Sequence, residues 1–583
     1  MPMNIVPLAV VCVDELLTSS EATTTTSFDE LPMSAEPAID EFIQMAHLFH
    51  YDITSSDIVT FWNEFAPGNN RLIARTERTH KNSQLKLDCR EIIQVTKLKS
   101  SFFSMEELSQ TIFSIALIVS SSLTRYRAAC EGEWEAALRN LLLNQNTKEE
   151  IFNHFARMSV DKLHQSDAHI LSNLAFAYAS IGLKPSLEDG QDFLELVAMK
   201  ALEIKSDFNA QDISMMLHAY VSTSNTKLLK GPPAMEPRFH RFLADHVVAL
   251  VDEFQPQVLC TTVWAFAKLG IDHTELFKRV TDHISGIVID TLVRFTPKDL
   301  SRITRACATS QYHHPELFTR VAQAAIHLKD EFNAQHATDL LWAYATMGIE
   351  EQIFVSFAPI VVALLDTGTI RHISTIAWSY AVANVDVPDL FNVHFVNQVT
   401  IKCAKKNVGV DSLSRLHQWN LWQTKEKMRP GLQSSLQDSC YKAFTSQETH
   451  PSKFQNKVVF YLSSIGVEPK EEVVMDSGYS IDALVTVDGR TIGIEVDGPC
   501  HFICESRCPL GATILKRRQV QSIDGIELIS LTHWDWIKSA CSTDKEQKRA
   551  EKQKFLRDLL GLEDKKTVDF QLTRTLWKHH QEE

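Results

Sequence analysis

The sequence predicts a mostly α protein, an α-solenoid of helix-pair repeats followed by a small C-terminal α/β domain. Three observations carry this. An apolar helical phrase recurs between Asp167 and Gln423, ending in aromatic-Ala-x-aromatic or a reduced form of it. A strictly alternating stretch, Tyr479 to Phe502, follows near the end of the chain. The length, 583 residues, is too great for a single core and suits a repeat array with an appended domain.

Residues 1–38, with the threonine run Thr23 to Thr26 followed by acids and prolines, read as disordered. The apolar opening from Ile5 to Val13 has no Lys or Arg before it and is followed at once by Asp14 and Glu15. It therefore matches neither a secretory signal nor an Arg-rich transit peptide. Residues 39–165 form an N-terminal helical region interrupted by a basic loop over 69–100. In that loop Arg71, Arg75, Arg78, Lys81, Lys86, Arg90, Lys97 and Lys99 stand against Glu77, Asp88 and Glu91, a surplus that suits either a solvated loop or an RNA contact. Ser109 to Leu123 is the most hydrophobic stretch, but it is too short and serine-rich to span a bilayer, so it reads as a buried helix and no membrane partner is expected.

The array occupies 166–427. Its recurring phrases are Ala175-Phe-Ala-Tyr178, Leu217-His-Ala-Tyr220, Val263-Trp-Ala-Phe266, Thr304-Arg-Ala-Cys307, Leu341-Trp-Ala-Tyr344, Ala377-Trp-Ser-Tyr380 and His417-Gln-Trp419, spaced by 42, 46, 41, 37, 36 and 39 residues. Asn209 and Asn333 supply N-caps, while Pro256 and Pro297 sit in first turns, where a missing N–H costs nothing. Gly182, Gly270 and Gly348 follow the phrase, where a helix closes in a left-handed residue. Second helices follow, as in Thr274 to Leu292 and Pro315 to Lys329, so each repeat is a helix pair. The aromatics recur beside Ala and Leu on one stripe, which assigns them to packing between helices before base stacking. A linker helix is expected in 428–451, a domain in 452–562 and a tail in 563–583.

Within the last domain, Ile481, Ala483, Val485 and Val487 alternate with Asp482, Leu484 and Thr486, and Ile492, Ile494 and Val496 alternate beyond Asp488-Gly489. Asp-Gly between two alternating runs is a hairpin signal, because both central positions of the tight turn need a positive φ. Registering the hairpin with Val487 facing Arg490 sets Asp482 opposite Glu495, with Asp497 on the same face, while the seven apolar residues share the other. Opposed like charges in a sheet need a neutraliser, and two are available: a divalent cation, or Lys516, Arg517 and Arg518 of the next helix. Asp482 and Glu495 offer only oxygen, which suits Mg²⁺ or Mn²⁺.

Downstream, Ile526 to Leu531 reads as a buried strand with Thr532-His-Trp-Asp-Trp536 at its end, and Lys545 to Leu560 as an amphipathic closing helix. Cys500, His501, Cys504 and Cys508 lack a Cys-x-x-Cys knuckle, and the eleven cysteines show no paired framework, as in a reducing compartment. The formal charge of -15 excludes a uniformly basic nucleic-acid coat, so any RNA contact is local. No Gly-rich phosphate loop, kinase signature or Ser-His-Asp set occurs.

Taken in order, Tyr479-Ser-Ile-Asp482, Ile494-Glu-Val-Asp-Gly-Pro499, His501-Phe502, Gly511-Ala-Thr513, Leu515-Lys-Arg-Arg518, Trp534-x-Trp536 and Lys554-Phe-Leu-Arg557 resemble a RAP domain. This is the C-terminal module of FAST kinase-like and octotricopeptide-repeat-like proteins of organellar RNA metabolism. The array, closed by Leu413-Ser-Arg-Leu-His-Gln-Trp-Asn-Leu421, resembles the helical region that precedes it in those families. The resemblance implies a fold similar to very-short-patch-repair and PD-(D/E)XK nucleases, with single-stranded organellar RNA as ligand. It also implies a place in RNA processing, rRNA maturation or mRNA stability in the mitochondrion or, alternatively, the chloroplast, beside other RNA-processing proteins. Lys516, Arg517, Arg518, His501, Trp534 and Trp536 become candidate RNA contacts.

Two other readings stand beside RNA binding. In the first, a metal-dependent endoribonuclease uses Asp482 and Glu495 for the metal. Such nucleases carry a lysine two places after the glutamate, where this chain has Asp497, so Lys516 would act from the next helix. In the second, the array is an interaction scaffold that binds no RNA.

Overall fold

The computed structural model describes residues 54–65, 82–120 and 133–562, except 186, 188–189, 205–206, 226–235, 272, 289–294, 349–350, 405–407, 447–450 and 505. The stretch 1–38, the basic residues Arg71, Arg75, Arg78 and Lys81, and the tail 563–583 lie outside the described residues. Contacts divide the chain into two units, between Ser310 and Gln311. None of the described helices is long and apolar enough to cross a membrane.

In the first unit, the hydrophobic stretch folds as the helix Met105–Val119, started by a capping box between Ser104 and Glu107 that satisfies two backbone N–H groups reciprocally. Leu108, Ile112 and Ile115 are buried along it. The expected basic loop is corrected over its second half, where Asn82–Lys99 is a helix. Cys89, Ile92, Ile93 and Thr96 fall at helical spacing and are buried, so the apolar period, and not the charge surplus, decided the local structure. The repeats begin with Ala168–Ser180 and Phe193–Glu203, then Ala210–Asn225 and Glu236–Ala249, then Pro256–Leu269 and Thr274–Val288, and end in this unit with Pro297–Thr309. Asp212 N–H bonds the Asn209 side chain at 2.9 Å, and Thr296 forms a capping box with Asp299. The helix Pro256–Leu269 closes on Gly270 at φ 67°.

The second unit continues with Pro315–His327, Ala334–Met347, Glu351–Leu364, Ile370–Ala383, Val393–Cys403 and Val410–Leu421. One bond recurs through both units. Tyr178 Oη donates to Phe152 O at 2.9 Å, Tyr220 to Leu194 O at 2.7 Å, Tyr344 to Phe318 O at 2.6 Å and Tyr380 to Phe354 O at 2.7 Å, each across 26 residues. The closing tyrosine of these four phrases is thus a core residue whose hydroxyl reaches the second helix of the preceding repeat, as the packing reading expects.

The C-terminal sheet has the order β1-β2-β3-β4, with β1 at Lys470–Val474, β2 at Ser480–Val487, β3 at Arg490–Asp497 and β4 at Glu527–Thr532. β1 to β3 are antiparallel, and β4 runs parallel to β3 after a crossover through the helix Gly511–Gln519. The hairpin has the expected register, from Val487 opposite Arg490 to Ala483 opposite Ile494, with φ of 49° at Asp488 and 75° at Gly489. Ala483, Val485, Val487, Ile492, Ile494 and Val496 pack on Val458 and Leu462 of the helix Lys453–Ser464 and on Leu556 and Leu560 of the helix Lys545–Leu560. Ile481 is the exception to the expected apolar face. Lying beyond the ladder with β3, though still paired with Val473 of β1, it joins Leu421, Tyr479 and Val520 in a second cluster.

Candidate functional site

The site grows from the pleat of β3. Its alternation sends Gly493, Glu495 and Asp497 to the face opposite the core, toward the helix Gly511–Gln519. Gly493 packs closely there: a Cβ would lie 2.6 Å from Leu528 Cδ2 and 3.1 Å from Ile481 Cγ2, so those side chains would have to shift. The helix presents three successive cations, which project about 100° apart and so reach three different places. Lys516 Nζ lies 2.6 Å from Glu495 Oε2. Arg517 Nη2 lies 2.7 Å from Asp497 Oδ2 and donates to Ser530 Oγ at 2.7 Å. Arg518 Nε lies 2.7 Å from Glu426, while its Nη atoms donate to the carbonyls of Ala381 and Val382 at the end of the helix Ile370–Ala383. Each member of the triplet therefore holds a carboxylate, and none stands clear as a phosphate contact.

The ladder stops at Ala483 opposite Ile494, one pair short of the expected opposition of Asp482 and Glu495. Asp482 accepts from Val496 N–H at 2.7 Å, one step past the last ladder pair. Burial raises its pKa, with that N–H and Lys516 pulling the other way. Glu495, whose side chain is only 8% exposed, is pushed up to about 7 by burial; Lys516 opposes the shift and Asp482 adds to it. Its second oxygen, Oε1, has no hydrogen-bond partner. Asp497 also accepts from Ser530 Oγ and stands 3.8 Å from His501 Nδ1. Among the described residues no three His, Cys, Asp or Glu side chains converge as metal ligands. Asp482, Glu495 and Asp497 therefore do not fit a Mg²⁺ or Mn²⁺ cage, because ammonium, guanidinium and a backbone N–H already occupy carboxylate oxygens. The nine described cysteines, Cys500, Cys504 and Cys508 among them, are free thiols.

A cleft of ≈ 230 Å³ opens beside Glu495, with Gln418, Tyr479, His501, Ala512, Thr513 and Lys516 in its walls. The array supplies one wall because the domain is bonded to it. Gln418 Nε2 donates to Tyr479 Oη at 2.8 Å, Tyr479 Oη donates to Gln519 Oε1 at 2.9 Å, and Gln519 Nε2 donates to Gln418 O at 2.9 Å. His417 Nε2 lies 2.8 Å from Ser477 O. Gly511 allows the closest approach, since a Cβ there would fall 2.1 Å from Ala345 O. Gln418 lies within the closing phrase of the array with nothing in the pattern to single it out, and Glu426 carries no local signal.

The remaining candidates separate. His501, about half exposed, lines the cleft. Trp534 packs edge-on against Phe502 at 4.6 Å and under Arg507 at 5.0 Å. Trp536 is corrected to a core residue: it is 7% exposed, packed on Tyr461 and beneath Lys552 at 4.1 Å. The short helix His533–Lys538, in place of an open strand end, turns it inward.

The array shows a position that the packing reading merged with the core. Two residues before the buried last residue of these phrases stand Phe176, His218, Trp264 and Arg305 in the first unit and Trp342 and Trp378 in the second. Trp264 is only half-buried, with Lys268 Nζ 4.7 Å and Arg302 Cζ 5.6 Å from its ring. Trp342 is likewise half-buried.

A model of the family described as RNA-editing substrate-binding complex 6 protein matches residues 143–319 and 284–397, within the helical part of the chain. A curated relative, the chloroplastic RAP domain-containing protein of Oryza sativa subsp. japonica, is 24% identical over 355 residues, which are 53% of this chain and 53% of the relative. The chain thus spans about half the length of the curated relative it matches. The repeats thus resemble an RNA-editing family and the chain resembles a RAP-named relative, a likeness that supports a kinship with the RAP-domain, FAST kinase-like proteins.

Proposed function

We propose that this protein binds single-stranded RNA in an organelle and acts there in RNA processing, rRNA maturation or mRNA stability. The observation that carries the reading is Trp264, an aromatic ring only half-buried on the array, with the cations of Lys268 and Arg302 over it. Unpaired bases stack on such faces while neighbouring cations meet the backbone, and a chain of net charge -15 needs its positive sites to be local in this way. The names of the matched family and relative, RNA-editing substrate-binding and chloroplastic, support an RNA ligand and an organelle; mitochondrion and chloroplast are the two sites to test. Other RNA-processing proteins are the natural partners of such an array. Stacking contributes about 1–3 kcal/mol per base, so Trp264→Ala should weaken single-stranded RNA binding by roughly tenfold. Titration of labelled RNA at several salt concentrations tests this, and affinity indifferent to both salt and Trp264 would leave the scaffold reading.

The endoribonuclease is the second reading, favoured by one contact: Lys516 does reach Glu495 from the next helix, at 2.6 Å. That no three ligand side chains converge among the described residues weighs against it. Incubating RNA with the full chain, with and without Mg²⁺ or Mn²⁺, separates cleavage from binding.

A further inference from the structure

The cleft beside Glu495 is built for something other than a phosphate. The two cations in its wall are each held by a carboxylate, Lys516 by Glu495 at 2.6 Å and Arg517 by Asp497 at 2.7 Å, with Asp482 as a third acid nearby. Two cations against three carboxylates leave no positive surplus to attract an anion. What the wall of the cleft does hold is an acceptor in need of a donor: Glu495, nine-tenths buried, whose Oε1 is shut off from solvent and without a hydrogen-bond partner, so that a ligand reaches it once the side chain turns outward. A buried carboxylate oxygen left unpaired is costly, and an N–H group entering the cleft removes that cost. Its volume, ≈ 230 Å³, falls below the roughly 300 Å³ at which pockets for drug-sized ligands begin, which suits one small planar group.

We propose that this cleft receives the edge of a single unpaired nucleobase, with Glu495 Oε1 accepting from its amino or imino N–H and Lys516 Nζ donating to the adjacent ring nitrogen or carbonyl. Every base carries a donor beside an acceptor on one flat pairing edge, whereas ribose hydroxyls sit on a puckered ring and a phosphate diester only accepts; unpaired RNA bases are commonly read on that edge. Lys516 has three protons and gives one to Glu495, so it can serve both partners. The inference rests on the RNA-binding reading but on different residues, since Trp264 stands in the first unit and the cleft in the second.

Equilibrium dialysis of the full chain against adenosine, cytidine, guanosine and uridine, with ribose as control, tests it. The expected result is binding of at least one nucleoside, no binding of ribose, and a tenfold or greater loss in Glu495→Gln. Ala512→Phe provides a second variant, because Ala512 is exposed and lines the cleft, so the ring fills the space from a position that tolerates bulk. Failure of all four nucleosides to bind, or binding unchanged in both variants, overturns the base pocket. Salt-dependent RNA affinity alongside that failure would leave the array reading standing. Nucleoside binding without any affinity for RNA would support the pocket and overturn the proposed function.

Discussion

At Glu495 one carboxylate records the conflict between burial and charge. Its folded pKa, about 7, lies above the ordinary 4.5, so the folded state holds the proton more tightly than the unfolded chain does. The resulting stability is fully present below pH 4.5 and lost as pH rises through about 7. Asp482, raised in the same direction, adds to the trend. Glu495→Gln should therefore flatten the pH dependence of the melting temperature in this window and raise stability at pH 8 by on the order of 1–3 kcal/mol. Thermal melts at pH 5 and pH 8 check it, and a variant that melts in parallel with the wild type at both would show that Glu495 is not the titrating group. Arg518 makes the opposite case. Arg518→Ala should lower stability by roughly 3 kcal/mol, because Glu426 keeps its buried charge with no partner. The salt slope of RNA binding should not change, whereas loss of one single-strand phosphate contact would reduce it by about 0.7.

Among the elements, the helix Gly511–Gln519 does two jobs with one face each, neutralising the acids of β3 and docking the domain on the array. Docking depends on Gly511, where a Cβ would meet Ala345 O at 2.1 Å and Val382 Cγ1 at 2.5 Å. Gly511→Ala should cost about 1–3 kcal/mol through forced separation, with faster hydrogen exchange at the end of the helix Ile370–Ala383; unchanged exchange there would mean the contact is not a constraint. In the repeats, the Tyr380 hydroxyl links the helix Ile370–Ala383 to the helix Glu351–Leu364 through Phe354 O. Tyr380→Phe should cost about 1 kcal/mol, read from denaturant midpoints, since the aromatic packing is kept and one buried hydrogen bond is lost.

For the molecule as a whole, the C-terminal domain shares a unit with the later repeats, from Gln311 onward. Its Tyr479, Gln519 and Arg518 are satisfied by Gln418, Glu426 and the carbonyls of Ala381 and Val382. A fragment of residues 311–562 should therefore unfold cooperatively, while residues 452–562 alone should melt several degrees lower and expose apolar surface around Tyr479 to a hydrophobic dye. Equal melting points for the two fragments would show that the array contributes nothing to the domain.

Local chemistry determined much of this protein on its own. The period of the aromatic phrases, Thr296 with Pro297, Gly270 and the Asp488-Gly489 turn act within a few residues, so the helix pairs, their ends and the hairpin register were legible in the sequence. That register in turn brought Asp482, Glu495 and Asp497 to one region. Tertiary structure decided what the acids and cations do. Lys516, Arg517 and Arg518 read both as neutralisers of the hairpin acids and as RNA contacts, because three adjacent cations look alike in one dimension; helical geometry sends them to three carboxylates, one of them 92 residues away. Trp536 went to the core and Trp264 stayed half-open for the same reason: alternation and helical period say which face a residue takes, and only the packing of a distant segment says whether that face is covered.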